Sequence, residues 1–273
     1  MKESYFSKNN IYYKVNEFQS GRQTLIFIHG LSGSSSAWLE YEKKFEKKYN
    51  LLFLDICGHG KSAKLRNYED YEIGKFSQDI FNLITYLNVE KPIMISHSFG
   101  TFVALEFLVK YQNLLVSSVF LSPGFCVKNK ELTKVIKSLL QPSVKIFGLI
   151  PFFPKIGGHI DYSKYKNTGD WNIRRMFADI RNTSLRVFLY CFKQSYKFDR
   201  ENFLDKINMP VLIMHGKNDT IFSVKNSVIM AERINNSKLI LLDNTDHIIV
   251  LNNFPEVSEA IENFIEETKP RLK

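Results

Sequence analysis

Residues 92–111 read PIMISHSFGTFVALEFLVKY and join two different periodic patterns through a very short turn. The run Pro92–Ile95 is apolar throughout, which is typical of a strand buried on both faces of a parallel sheet. The run Thr101–Tyr111 has the length and apolar content of a buried helix. The intervening residues, 96–100, read SHSFG. The sequence therefore predicts a strand, a sharp turn and a helix in direct succession.

Such a turn holds its central residue in a strained backbone conformation, and side chains two positions before and after it must be small. Ser96 and Gly100 meet this requirement when Ser98 is central, whereas a central Ser96 would place bulky Met94 where a small residue is needed. The turn would lift the Ser98 hydroxyl clear of the sheet and let the backbone N–H of Phe99 donate to an oxyanion. We predict Ser98 as a nucleophile; the alternative is a turn without chemistry.

The rest of the chain alternates apolar runs with helical patterns, which predicts a doubly wound, mostly parallel α/β sheet. The other predicted strands are Thr24–Ile28, Leu51–Leu54, Ser118–Leu121, Pro210–Met214 and Leu239–Leu242. The other predicted helices are Ala37–Lys48, Ile73–Leu87, Val224–Ile234 and Glu256–Glu267. At the start of the chain, Tyr5–Ser7 and Ile11–Glu17 flank Asn9-Asn10, which predicts an antiparallel hairpin on the sheet edge.

One long segment, from about Phe125 to Phe203, carries no strand pattern and is too long for a loop within a compact domain. It contains helical patterns and the apolar stretch Leu139–Pro154, which its prolines are expected to break. We predict an inserted helical cap at 125–203, between a first core part at 1–124 and a second at 204–273.

Two loops follow early strands. His29-Gly30-Leu31 comes directly after Thr24–Ile28, where a loop can supply a second oxyanion donor, and we predict the backbone N–H of Leu31 in that role. A flexible loop rich in Ser and Gly is the alternative.

The glycine-rich turn at 55–62 (DICGHGKS) lacks phosphate-loop spacing, so we expect it to hold neighbouring loops in place.

A serine nucleophile needs a base, and the base needs a carboxylate to orient it. His247 follows the last predicted strand and is the only histidine after Asp219. Asp219 lies five residues past the predicted strand Pro210–Met214. Asp243 and Asp246 compete for the role of acid, but Asp246 adjoins His247, and neighbouring side chains usually diverge. We favour Asp219.

With these elements in order, the chain resembles the α/β-hydrolase family. The resemblance rests on HG at 29–30, D-x-x-G-H-G-x-S at 55–62, S-x-S-x-G at 96–100, G-x-x-D at 216–219 and D-H at 246–247. It covers about Thr24–Pro123 and Asn208 to the end of the chain. It implies Ser98 as nucleophile, Asp219 as acid and His247 as base, with Leu31 and Phe99 as oxyanion donors. A serine nucleophile sets the chain apart from the aspartate-nucleophile branches.

The resemblance implies ester hydrolysis through an acyl-enzyme, as in a carboxylesterase or a monoacylglycerol-type lipase. The predicted cap is rich in phenylalanine, which favours a small-molecule substrate with an apolar acyl group, although these side chains could simply pack the cap on the core. The phenylalanines concerned are Phe147, Phe152, Phe153, Phe177 and Phe188. The alternatives are carbon–carbon bond hydrolysis, acyl transfer to an alcohol, and a non-catalytic protein that binds a small ligand.

Composition limits the remaining possibilities. The chain has 273 residues and a formal net charge of +9, but no basic stripe with interleaved aromatics, so we expect no nucleic-acid partner. Three widely spaced cysteines give neither a disulfide framework nor a metal site, and we predict no cofactor.

Residues 1–10 have no apolar signal core, and no run is long enough for stable membrane insertion, so we expect a cytoplasmic protein. Interfacial contact through Leu139–Phe153 is a further hypothesis. The oligomeric state is not indicated.

Overall fold

A computed structural model describes residues 1–6, 10–127 and 130–268 of the chain. Eight strands within these residues form one sheet in the order β1-β2-β4-β3-β5-β6-β7-β8. Their bounds are β1 Lys2–Phe6, β2 Ile11–Val15, β3 Thr24–Ile28, β4 Asn50–Leu54, β5 Ile93–His97, β6 Ser117–Leu121, β7 Val211–Gly216 and β8 Ser237–Leu242. Strands β3 to β8 pair in parallel, and β1 and β2 join the edge antiparallel. The predicted doubly wound, mostly parallel sheet is confirmed.

The central strands β3 to β7 are buried along their whole length because both faces of the sheet are covered there. Side chains alternate between faces along a strand, so Ile26 of β3 packs with the cluster containing Phe76, whereas its neighbour Phe27 packs with the cluster containing Trp38. Each face therefore buries its own core, and burying one such side chain contributes about 1.5–3 kcal/mol to stability. The two cores fix the plane of the sheet and hence the edge where the strand ends meet.

Helices lie on both sides of this sheet. Their bounds are α1 Leu39–Phe45, α2 Ile73–Tyr86, α3 Phe99–Tyr111, α4 Lys130–Leu149, α5 Ile173–Thr183, α6 Leu185–Lys197, α7 Val224–Arg233, α8 Ile249–Asn252 and α9 Phe254–Thr268. Helices α2 and α3 pack on one face, and α1 and α9 pack on the other. Helix α3 is buried continuously from Phe99 to Leu108, because it lies between the sheet and its neighbouring helices.

The predicted edge hairpin is present, with Tyr5 opposite Tyr12 and Phe6 opposite Ile11. Ser7 and Asn9 of that prediction lie outside the described residues. Two strands end later than the sequence predicts. Strand β5 extends to His97, and β7 extends to Gly216, because polar residues at these ends still pair with the neighbouring strands.

Between β6 and β7 the described residues contain α4, α5, α6 and short 3₁₀ helices, with one isolated bridge between Cys126 and Asp199. Residues 128–129 of the predicted cap are outside the description. The apolar stretch Leu139–Pro154 is broken before Pro151 but not at Pro142, since α4 runs through Pro142 and ends at Leu149. A proline removes one backbone donor, and a helix of 20 residues keeps its other turns. The division into core and cap stays a prediction.

Among the residues described, no helix is both long and apolar enough to cross a bilayer.

Candidate active site

Ser98 occupies the junction between β5, which ends at His97, and α3, which begins at Phe99. Its backbone has φ 53° and ψ −119°, a conformation that non-glycine residues rarely adopt and that costs strain energy. The turn is tight because a Cβ at Gly100 would lie 2.7 Å from the carbonyl oxygen of His29 and 2.8 Å from that of Ile28. The predicted small residue at 100 is therefore required by the approach of α3 to the end of β3.

Three predicted site residues meet at this sheet edge. Nε2 of His247 lies 2.7 Å from Oγ of Ser98, and Nδ1 of His247 lies 2.6 Å from Oδ2 of Asp219. An ionised carboxylate can only accept, so Nδ1 carries the proton and Nε2 accepts from the serine hydroxyl. The three side chains come from the ends of β5, β7 and β8, which are parallel and bring their carboxyl ends to one edge.

Asp219 is surrounded by donors. Its Oδ1 accepts the backbone N–H groups of Ile221 and Phe222, both at 2.8 Å. Its Oδ2 also lies 2.9 Å from Nε2 of His215. Burial raises the pKa of the Asp219 carboxyl, but the hydrogen bonds from His215 and His247 outweigh it and hold the pKa well below its usual range. Asp219 is therefore ionised at neutral pH and can orient a histidine.

The two competing acids point elsewhere. Asp243 pairs with Nζ of Lys217 at 2.7 Å, and Asp246 accepts the N–H of Ile248 at 2.9 Å. Asp219 lies three residues past β7 and not five, because that strand ends two residues later than predicted.

The backbone of His247 is held on both sides by residues that the sequence did not single out. Oδ1 of Asp170 accepts the His247 N–H at 2.7 Å, and Nε2 of His97 donates to the His247 carbonyl at 3.0 Å. Burial lowers the pKa of His97 to about 3, so its ring is neutral. The other oxygen of Asp170 accepts from both N and Oγ1 of Thr220, at 2.9 and 2.7 Å. One carboxylate thus bridges the loops that carry Asp219 and His247.

The two predicted oxyanion donors flank Ser98. Phe99 is the first residue of α3, and Leu31 follows Gly30 in the loop after β3. A Cβ at Gly30 would lie 3.2 Å from the Ser98 Cβ and 3.1 Å from Nδ1 of His97, which shows how closely this loop approaches the serine. Both residues line the same cavity as Ser98.

The glycine-rich turn holds loops together, as expected. Oδ1 of Asp55 accepts the Ser35 N–H at 2.6 Å, and Oδ2 lies 2.9 Å from Nε2 of His159. Nδ1 of His59 donates to the carbonyl of Cys57 at 3.1 Å, and burial lowers the pKa of His59 to about 3. These groups tie the turn to the loop after β3 and to the segment between β6 and β7.

A cavity of about 290 Å³ opens over Ser98 and His247. Its apolar walls include Phe102, Met176, Ile180, Phe188, Phe192 and Phe222. Of the five phenylalanines considered from the sequence, only Phe188 lines it. Phe152, Phe153 and Phe177 line a second cavity, and Phe147 packs against the core. The position of Phe177 follows from helix geometry, because neighbouring residues of a helix point in different directions. Phe177 is exposed on the outer face of α5, whereas Met176 and Ile180 face the cavity.

The comparisons with known proteins agree with this architecture. The family profile for the alpha/beta hydrolase fold matches residues 23–254, which is most of the chain. The protein therefore belongs to the α/β-hydrolase family, as its motifs predicted.

Among curated relatives, the bovine (Bos taurus) monoacylglycerol lipase ABHD6 is 24% identical over 257 residues, covering 89% of this chain and 75% of the relative. Proline iminopeptidase from Saccharolobus solfataricus is 25% identical over 285 residues, covering 94% and 89%. Among solved structures, MGS-M2, an alpha/beta hydrolase enzyme from a Medee basin deep-sea metagenome library, superposes with a TM-score of 0.77 at 19% identity, covering 100% of this chain and 99% of that one. The family match and the curated relatives support a hydrolase.

Proposed function

We propose that this protein is a serine hydrolase that cleaves esters through an acyl-enzyme on Ser98. The observation that carries the proposal is the continuous hydrogen-bonded series from Ser98 Oγ through His247 to Asp219, at 2.7 and 2.6 Å. This is the arrangement that a serine hydroxyl needs in order to lose its proton at neutral pH. A merely structural serine would have no need of a strained backbone or of a buried base.

In the first half-reaction, His247 Nε2 takes the proton of Ser98 as Oγ attacks the ester carbonyl. The carbonyl oxygen becomes an oxyanion, which the backbone N–H groups of Leu31 and Phe99 stabilise. Asp219 stabilises the resulting imidazolium through Nδ1–H and keeps the ring in place. When the tetrahedral intermediate collapses, the alcohol leaves with the proton from Nε2, and the acyl group remains on Oγ.

In the second half-reaction, a water molecule replaces the alcohol. His247 Nε2 removes one proton from the water as its oxygen attacks the acyl carbon. The second tetrahedral intermediate then collapses, Oγ recovers its proton from Nε2, and the carboxylic acid departs. No cofactor enters this sequence, since the chain's own side chains move every proton.

The cavity favours an apolar substrate of modest length. Its walls are largely aromatic and aliphatic, which suits an acyl chain. Its volume of about 290 Å³ is at the lower end of the range for small-molecule sites, which favours short acyl groups such as butyrate. We expect p-nitrophenyl butyrate to be hydrolysed with a higher kcat/KM than p-nitrophenyl laurate.

The test compares wild-type protein with Ser98→Ala. We expect p-nitrophenyl butyrate hydrolysis to fall by about 10⁴-fold or more in S98A, and labelling by a fluorophosphonate probe to disappear. The matched control is Ser117→Ala, which removes a buried serine hydroxyl in β6, away from the site; it should keep both signals. An S98A protein that hydrolysed the ester at the wild-type rate would show that Ser98 is not the nucleophile.

A further inference from the structure

Helix α5 forms the roof of the catalytic cavity, because both ends of its segment are tied to catalytic loops. Just before the helix, Asp170 accepts the His247 N–H. At its last turn, Oγ1 of Thr183 donates to the carbonyl of Ser32 at 3.2 Å, directly after the predicted oxyanion donor Leu31. The helix therefore spans the mouth of the site from the histidine side to the oxyanion side.

Asp179 lies midway along the inner face of this helix. Arg175 and Thr183, four residues before and after it, are the buried residues of α5, and a spacing of four keeps side chains on one face. Asp179 lines the cavity together with Ser98 and His247. It is thus a carboxyl group on the roof of a cavity whose walls are otherwise mainly apolar.

A tyrosine hydroxyl holds this carboxyl in place. The hydroxyl of Tyr162, itself buried and also lining the cavity, donates to Oδ1 of Asp179 at 2.8 Å. Oδ2 makes no hydrogen bond to residues 1–6, 10–127 and 130–268, and it is accessible from the cavity. Burial raises the pKa of Asp179 to about 7. Water can bond to this oxygen in the free protein, so a substrate that displaces the water has to supply a donor in its place.

The nearby Arg175 does not supply that donor. Its guanidinium donates to the carbonyls of Asp170 and Gly169 and to Oγ1 of Thr168, at 2.6, 3.3 and 3.2 Å. It therefore holds the segment before α5. Its positive charge also disfavours a second cation beside Asp179, so a neutral hydroxyl fits the roof better than an ammonium group.

We propose that Asp179, positioned by Tyr162, is a subsite that accepts a hydrogen bond from a hydroxyl group of the substrate, so that the preferred esters carry a hydroxyl as well as a short acyl chain. The inference rests on the proposed function, because it assigns a substrate class to that same site. A site built to bond a hydroxyl rejects the analogue that lacks it, since the bound analogue covers the acceptor and leaves it without a partner.

The test uses esters that differ only in hydroxyl groups. Glyceryl monobutyrate carries them on the alcohol, propyl 3-hydroxybutyrate carries one on the acyl chain, and n-propyl butyrate carries none. Propyl 3-aminobutyrate replaces the acyl-chain hydroxyl by an ammonium group. For the wild-type protein we expect kcat/KM for one hydroxylated ester to exceed that for n-propyl butyrate by about 10- to 100-fold. In Asp179→Leu this ratio should fall towards one, and Tyr162→Phe should lower it partly.

The matched control is Met176→Leu, an apolar change on the same face of α5, which should alter kcat/KM for all the esters by a similar factor. Asp179→Asn retains an acceptor oxygen and should keep part of the ratio. A ratio near one in the wild-type protein, a ratio unchanged in D179L, or a preference for the ammonium ester alone would overturn the proposal. So would an equal loss on every ester in both D179L and Y162F. Failure of the proposed function is distinct: it would appear as ester turnover that S98A retains.

Discussion

Asp170 and His247 are 77 positions apart in sequence, yet Oδ1 of Asp170 accepts the backbone N–H of His247 at 2.7 Å. The same carboxylate is buried and accepts two hydrogen bonds from Thr220, which follows Asp219 directly. A charged acceptor with three donors binds each more strongly than a neutral acceptor would. The segment between β6 and β7 is therefore fastened to the two loops that carry Asp219 and His247.

Replacing Asp170 by Asn should loosen both loops. The amide removes the charge and turns one acceptor into a donor that faces the donors of Thr220 or His247. We expect the free energy of unfolding to fall by about 1–3 kcal/mol. We also expect kcat for p-nitrophenyl butyrate to fall by roughly 10-fold, with a smaller change in KM, because His247 loses its alignment. Urea denaturation and steady-state kinetics measure the two effects.

The control for this prediction is Asp161→Asn, an aspartate in the same segment. Asp161 is exposed and caps a short 3₁₀ helix through Ser163. Its replacement should change stability by no more than about 0.5 kcal/mol and leave kcat near the wild-type value. Equal effects in D170N and D161N would contradict a special role for Asp170.

Asp219 should be needed for chemistry rather than for binding. In Asp219→Asn the amide cannot hold His247 with a proton on Nδ1, so Nε2 loses its ability to accept from Ser98. We expect kcat to fall by about 10³- to 10⁴-fold with KM changed only slightly. The comparison variant is Asp243→Asn, because Asp243 pairs with Lys217 on the surface. If D243N were the more damaged enzyme, the acid would have to be reassigned.

The sequence could predict the sheet and the three ends where Ser98, Asp219 and His247 lie, because apolar runs and turn residues are local signals. It could not predict Asp170 or Asp179, whose roles depend on how α5 is laid across the sheet edge. Nor could it identify His215 as a second donor to Asp219, because that contact depends on the path of the loop after β7. Chain order places residues on elements, whereas contacts between a helix and distant loops arise from tertiary packing.

Gly100 and Gly74 should respond in opposite directions to a methyl group. A Cβ at Gly100 would lie within 2.8 Å of two backbone carbonyl oxygens at the end of β3, and backbone cannot move aside cheaply. We expect Gly100→Ala to lower the free energy of unfolding by more than about 2 kcal/mol. At Gly74, in α2, the nearest atom of the described residues to the new Cβ would be Oε1 of Glu106 at 3.8 Å, and Gly74→Ala should be neutral or stabilise by up to about 1 kcal/mol. Denaturant unfolding of both variants provides the measurement, and a stable G100A protein would contradict this account of the turn.

The raised pKa of Asp179 should make stability depend on pH in a defined direction. Burial raises this pKa from 3.8 to about 7, so between roughly pH 4 and pH 7 the folded protein keeps a proton that the unfolded chain releases. The contribution of Asp179 to the free energy of unfolding is therefore fully present below the unfolded pKa. This contribution is lost as the pH rises through the folded pKa of about 7. Asn carries no charge at any pH, so Asp179→Asn avoids the loss.

We therefore expect D179N and the wild-type protein to have similar Tm values near pH 4, and D179N to be the more stable at pH 8. Allowing for the partial exposure of the carboxyl, the gain is about 1–2 kcal/mol, or roughly 3–6 °C in Tm. The titration of Asp219 is common to both proteins, and its effect largely cancels in the difference. Thermal melts of both proteins at pH 4, 6 and 8 measure the trend. A Tm difference that stayed constant with pH would show that Asp179 is ionised normally and that its carboxylate is already satisfied in the folded protein.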